Sequence, residues 1–335
     1  MFRKKGLMSI LVVSLAVTFI LATAGLGLAA THTINCVSAW PKTAFETSNV
    51  LRYIENVQKE ANQKYPGELQ IVFKGGPDVI HTNEQIEAMR TGLVQLVLSA
   101  PSYYVSIMPE LDCLSLTELK PWEEKAAGLF DYLEELHNKK ANAHYLGRPG
   151  TGVLFQLFLG KPIKTVADLN GMKIRVSPTN VPFMKAVGAN PVQMPPSDVY
   201  TAMERGVVDG YILPAHTIRD FGLDKVSKYL VFPGAYEPCH SLLMNLDAWK
   251  KLPKHLQELL SRQADEMTRY SFDIIEKRIQ EEYDLFKKQG MVFIELPPAE
   301  AAKYKQIARD SMLEVIRKKS PAEVDKILQY VTKKK

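Results

Sequence analysis

Two kinds of hydrophobic block alternate along this chain. Short apolar runs at 33–37, 69–73, 93–98, 172–176, 192–194 and 207–212 have the length of buried strands. Between them apolar residues recur at helical spacing. Val50, Leu51, Ile54, Val57 and Ala61 share one predicted helix face, and Ile86, Met89 and Leu93 share another. Pro66-Gly67 marks a turn, and Gly75-Gly76-Pro77 breaks the chain before the second helix. Strand–helix–strand units of this size argue for parallel sheets covered on both faces. Ligands of such sheets bind beyond the carboxyl ends of the strands, where Trp40 and the 99–104 segment fall.

A second unit of the same kind begins near Gly150. Residues 166–171 read as one helical turn closed by Gly171. Thr179 is expected to cap a helix ending at Gly188, and Ser197 one that carries Val199, Tyr200 and Met203 and ends at Gly206. From 253 to 289 the helical period persists through Leu256, Leu260, Met267, Ile275 and Phe286, with Pro253 at the start and Gly290 at the stop. About 36 residues at ~1.5 Å each make a helix of about 54 Å, longer than one domain. The apolar positions keep no strict heptad, so a spine along a two-lobed molecule fits better than a coiled-coil dimer.

The first thirty residues follow a different pattern. Arg3, Lys4 and Lys5 precede an apolar run at 7–21 broken only by Ser9, Ser14 and Thr18, and small residues follow through Ala29 and Ala30. This is the order of a cleaved secretory signal, and it predicts an exported, periplasmic mature chain. Without those three basic residues the formal charge falls from +5 to about +2, which gives no case for nucleic-acid binding. Cys36, Cys113 and Cys239 show no metal or redox spacing, and one disulfide or three separate thiols are both open. No catalytic motif is present, and no metal or cofactor is expected. His216 with Asp220 and His137 with His144 read as surface pairs.

Arg175 stands apart. It lies in the apolar stretch Lys-Ile-Arg-Val, where a guanidinium must find an anion or reach solvent. The residues alone leave a ligand carboxylate and an internal acid equally open.

Three stretches then point one way: Pro162-Ile163 with Asp168-Leu-Asn-Gly-Met-Lys-Ile-Arg-Val176, Val187-Gly-Ala-Asn-Pro-Val-Gln-Met-Pro195, and Asp198-Val-Tyr-Thr-Ala-Met-Glu-Arg-Gly-Val-Val-Asp-Gly210. In order and spacing they resemble the DctP-type binding proteins of tripartite ATP-independent periplasmic (TRAP) transporters. The resemblance implies an α/β fold of two lobes with a central cleft, hinge strands and a long spanning helix. It implies lobe I at 31–152 with 242–281 returning to it, and lobe II at 153–241 completed by 282–335. It implies further that Arg175 pairs with a ligand carboxylate, that the lobes close on a small organic acid, and that transporter membrane subunits receive it. Both monomers and dimers are compatible with it.

Two positions depart from the family pattern. Leu154 stands where many members carry a second arginine, and Leu213 where many carry an asparagine. A buried second carboxylate would lack a partner there, which costs about 2–5 kcal/mol. The expected ligand is therefore a monocarboxylate with an apolar or aromatic body, such as a branched-chain or aryl 2-oxo acid. Trp40, Tyr103, Phe155, Phe183, Tyr211 and Tyr236 are the expected walls. A four-carbon dicarboxylate or a sugar acid is the alternative within the family, and an enzyme or sensor on the same scaffold the alternative outside it.

Overall fold

The protein is described by a computed structural model over residues 31–331; the expected signal segment, 1–30, lies outside the described residues. Eleven strands run in chain order among the described residues: β1 (His32–Ser38), β2 (Leu69–Gly75), β3 (Leu96–Ser99), β4 (Ala143–Gly147), β5 (Phe155–Leu159), β6 (Lys173–Val176), β7 (Asn190–Gln193), β8 (Gly210–Pro214), β9 (Tyr229–Phe232), β10 (Ser241–Asn245) and β11 (Val292–Glu295). They form two sheets, ordered β2-β1-β3-β10-β4 and β11-β9-β5-β8-β6-β7.

Each sheet is mixed. β1 is parallel to β2 and β3, and β6 to β7 and β8, as strand–helix–strand units require. The exceptions are the strands that arrive from the other sheet. β5 enters from β4 and runs antiparallel to β8 and β9, while β10 returns from β9 and runs antiparallel to β3 and β4. A strand reached directly from a neighbouring sheet needs no crossover helix, so it can join in the opposite sense.

The long helix, Lys254–Lys288, is the third connection between the sheets. Its first half (Leu256, Leu260, Ala264, Met267) packs with Val50, Tyr53 and Val57 of the helix Phe45–Lys64 in the core beside the first sheet. Ile275 meets Phe45 and Val153 midway, and Phe286 joins Phe158 and Tyr211 in the core of the second. One apolar stripe thus serves both cores, the use of length expected of a spine. The helix Pro298–Lys319 packs on both Val181–Ala186 and the 3-10 stretch Pro109–Leu116, and the helix Pro321–Val331 packs on that stretch and on Leu129–Ala141.

Some local expectations need correction. Leu93 is 69% exposed behind Gly92, whose φ of +84° turns the chain, so the strand starts at Leu96. Thr179 caps no helix: it sits in a 3-10 turn, Pro178–Asn180, and its hydroxyl is committed elsewhere. Ser197 bonds to the Asp198 carboxylate instead of capping. All three cysteines are buried free thiols.

Candidate functional site

A small cavity, about 40 Å³, lies between the sheets at the carboxyl ends of β1, β3, β6 and β8. Trp40 follows β1, Tyr103 follows β3, Arg175 is the penultimate residue of β6 and Leu213 that of β8, so the ends of four separate strands converge on the cavity. Gly76 helps seat Trp40. A Cβ at Gly76 would lie 2.5 Å from the Trp40 carbonyl oxygen, so only glycine lets the backbone after β2 approach so closely. Trp40 packs edge-on to Tyr103 at 6.1 Å and to His240 at 4.6 Å between ring centroids.

Arg175 is 1% exposed and forms no ion pair with an acid among the described residues. Its Nε and one terminal nitrogen donate to the Met194 carbonyl at 2.9 and 2.7 Å, and the other donates to the Ile212 carbonyl at 3.3 Å. Burial lowers its pKa to about 10, only partly opposed by Tyr103 and Asp198. A buried cation bonded to neutral carbonyls, with the Tyr103 phenol beside it, is under-compensated, and a carboxylate in the cavity would supply what it lacks.

The cavity also carries a buried acid. Glu46, 2% exposed, begins the helix after β1, and its Oε1 lies 3.3 Å from His216 Nε2. Burial pushes the Glu46 carboxyl up, but His216, His240 and its own backbone N–H outweigh that and hold it below the usual range. His240 is itself lowered to about 4, chiefly by burial, with Glu46 opposing. Burial pushes the Cys239 thiol up to about 12, so it offers no thiolate nucleophile.

Several bonds tie the two halves across this cavity. The Thr179 hydroxyl, beyond β6, donates to Asp112 Oδ1 at 2.7 Å. The Phe45 N–H donates to Asp220 at 2.8 Å, and Arg278 of the long helix pairs with the same carboxylate at 2.6 Å. Burial raises Asp112 to about 6, with Thr179 and Lys319 opposing. A carboxyl whose pKa is raised on folding stabilises fully below its unfolded pKa, and that contribution is lost as pH rises through the folded value. Here the window runs from about 4 to about 6, worth about 3 kcal/mol. Asp112→Asn is expected to raise thermal stability at pH 7.5 and to change little at pH 4, because it fixes the neutral, hydrogen-bonding form. Equal effects at both pH values would show that Asp112 does not carry this penalty.

The family model for the bacterial extracellular solute-binding proteins, family 7 (DctP), matches residues 42–319. The chain belongs to this family. It is 26% identical over 273 residues to a solute-binding protein of Albidiferax ferrireducens, covering 77% of this chain and 78% of that one. A monocarboxylate 2-oxoacid-binding periplasmic protein of Nostoc is 26% identical over 235 residues, 66% of this chain and 62% of the relative. The crystal structure of DctP7, a Bordetella pertussis extracytoplasmic solute receptor binding pyroglutamic acid, superposes with a TM-score of 0.78 at 20% identity, over 90% of this chain and 99% of that one. The mixed two-sheet α/β architecture is therefore the two-lobed fold of the TRAP periplasmic solute-binding proteins, a family of solute receptors.

Of the expected site residues in this solute-binding protein, Arg175, Trp40, Tyr103, Phe155 and Leu213 line the cavity. Leu154 does not: it is 44% exposed and faces a groove beside the long helix. Successive side chains on extended chain point to opposite sides, so Phe155, the next residue, takes the inward place. Phe183 and Tyr236 are core residues, packed on each other at 5.8 Å, with Phe183 also 4.7 Å from Tyr304. Tyr211 is stacked on Phe158 at 5.1 Å and bonds to Ser227 through its hydroxyl, away from the cavity. The histidine pairs are not on the surface either. His137 and His216 are fully buried, and His144 stacks on Trp249 at 3.7 Å. The sequence reading missed Glu46, Asp112, Thr179 and His240.

Proposed function

We propose that this protein is the solute-receiving subunit of a TRAP transporter, capturing a small monocarboxylate with an apolar or aromatic body and delivering it to the membrane subunits. Arg175 carries the reading, as a buried guanidinium at the cavity wall whose bonded partners are main-chain carbonyls. In the complex its forked donors face the ligand carboxylate, while Trp40, Phe155 and Leu213 enclose the body. Leu213 in place of a polar residue favours one carboxylate over two, and the name of the Nostoc relative supports the same class.

The lobes we assign are 31–152 with 242–281, and 153–241 with 282–335. Ligand reaches both only when they are closed, so binding shifts the population toward the closed form that the membrane subunits recognise. A thermal-shift screen of the chain from residue 31 against organic acids tests this reading. At one hundred times Kd the expected gain is about 2.7 kcal/mol. Branched or aryl monocarboxylates are expected to stabilise the protein more than succinate. Tighter binding of succinate than of every monocarboxylate would overturn the ligand class and leave the family membership intact.

A further inference from the structure

We infer that Glu46 is a second specificity-determining residue of this cavity, one that selects ligands carrying a hydroxyl or N–H donor on the body of the acid. The inference rests on the carboxylate reading above and narrows it. Glu46 lines the same cavity as Arg175, from the other half of the molecule. Both charges act on the Tyr103 phenol in the same cavity, Arg175 lowering its pKa and Glu46 raising it, within a larger upward push from burial. The cavity therefore carries a buried cation and a buried carboxylate, contributed by different halves of the molecule.

The carboxylate is incompletely bonded. Glu46 Oε1 faces His216 Nε2, but Oε2 is buried with no hydrogen-bond partner among the described residues, and neither His216 nitrogen has one of good geometry. A buried carboxylate is acceptor-only, and an oxygen left without a donor is costly. The lining residues nearby do not meet this need. The Thr217 hydroxyl is committed to the Pro214 carbonyl, and the Thr179 hydroxyl to Asp112. A donor on the ligand would complete Glu46 in the closed state. A second carboxylate would instead meet like charge, so Glu46 and Leu213 disfavour dicarboxylates independently. A plain 2-oxo acid carries no such donor. The class that fits is a hydroxy-monocarboxylate or a lactam acid.

Isosteric pairs give the test, measured by calorimetry on the chain from residue 31. One pair is pyroglutamate with its lactone analogue, 5-oxotetrahydrofuran-2-carboxylate. The others are 2-hydroxy-2-methylpropanoate with 2,2-dimethylpropanoate, and 3-hydroxy-3-methylbutanoate with 3,3-dimethylbutanoate. The donor-bearing member of at least one pair is expected to bind about 10- to 100-fold tighter. Glu46→Met is expected to close that gap, and Glu46→Gln, which keeps shape and an acceptor but not the charge, to narrow it. If wild-type protein binds both members of every binding pair equally, or if Glu46→Met leaves the gap intact, the role of Glu46 is refuted while the Arg175 reading stands. If neither these nor any other carboxylate binds, the Arg175 reading fails and takes this inference with it.

Discussion

Arg175→Met is expected to abolish ligand binding while leaving the stability of the ligand-free protein within about 1 kcal/mol of the wild type. Two opposed terms set the second half of that expectation. Burial lowers the arginine from 12.5 to about 10. At 1.36 kcal/mol per unit, removing the buried charge therefore relieves about 3 kcal/mol. Against this, the Met194 and Ile212 carbonyls lose their donors, which costs about 1–3 kcal/mol. Methionine fills a similar volume, so no large cavity adds to the bill of lost contacts. In the complex nothing offsets the loss. A ligand carboxylate stranded without its partner forfeits about 2–5 kcal/mol, or about 30- to 5,000-fold in Kd. Calorimetry and ligand-free melting, run on the same preparation, read the two halves separately. A variant that still binds its acid at wild-type affinity would remove Arg175 from the site. A variant that unfolds without ligand would recast it as a structural residue.

Arg175 was legible in the sequence because an arginine inside an apolar strand has few alternatives, and the surrounding motif narrowed them. The long helix was legible because its period persists from Leu256 to Phe286, and its packing against both cores follows from its length alone. The aromatic walls were legible only in part. Tyr211 and Phe183 are aromatic like Trp40 and Tyr103, and only where the fold places each side chain, Tyr211 in a strand, Phe183 in a helix and the other two just beyond strand ends, separates core from cavity. Leu154 and Phe155 show how sharp that dependence is, since one step along the chain exchanges inside for outside. Glu46 was hidden for a different reason. It opens an amphipathic helix, where an acid near the N-terminus is ordinary, and its meaning comes from His216, His240 and the cavity, all brought to it by tertiary structure. The Asp112–Thr179 bond is of the same kind, joining two polar residues whose sequence contexts predict nothing about each other.

The other arginine buried among the described residues should behave in the opposite way. Arg148 lies just beyond β4, where the chain crosses to the second sheet, and both it and Glu124 are fully buried. Two nitrogens of Arg148 donate to the two Glu124 oxygens at 3.1 and 3.0 Å, the third reaches Cys239 Sγ at 3.1 Å, and the Thr117 hydroxyl donates to Glu124 at 2.6 Å. Glu124→Leu is expected to cost about 3–5 kcal/mol, because it leaves a buried cation bonded only to the Cys239 thiol, with Glu237 acting on it without a bond. Arg148→Met should cost a similar amount by stranding the acid. The double replacement should recover most of either loss, since desolvating the intact pair already opposes its attraction. Denaturant melts of the four proteins measure that coupling directly. A single-mutant loss below about 1 kcal/mol, or strictly additive losses, would mean the pair is not the electrostatic unit its geometry describes. The contrast between the two arginines is itself the argument for the site. Arg148 has an acid partner within its own fold and should be needed for stability, whereas Arg175 is bonded to neutral carbonyls with no ion-paired acid among the described residues and should be needed for the ligand.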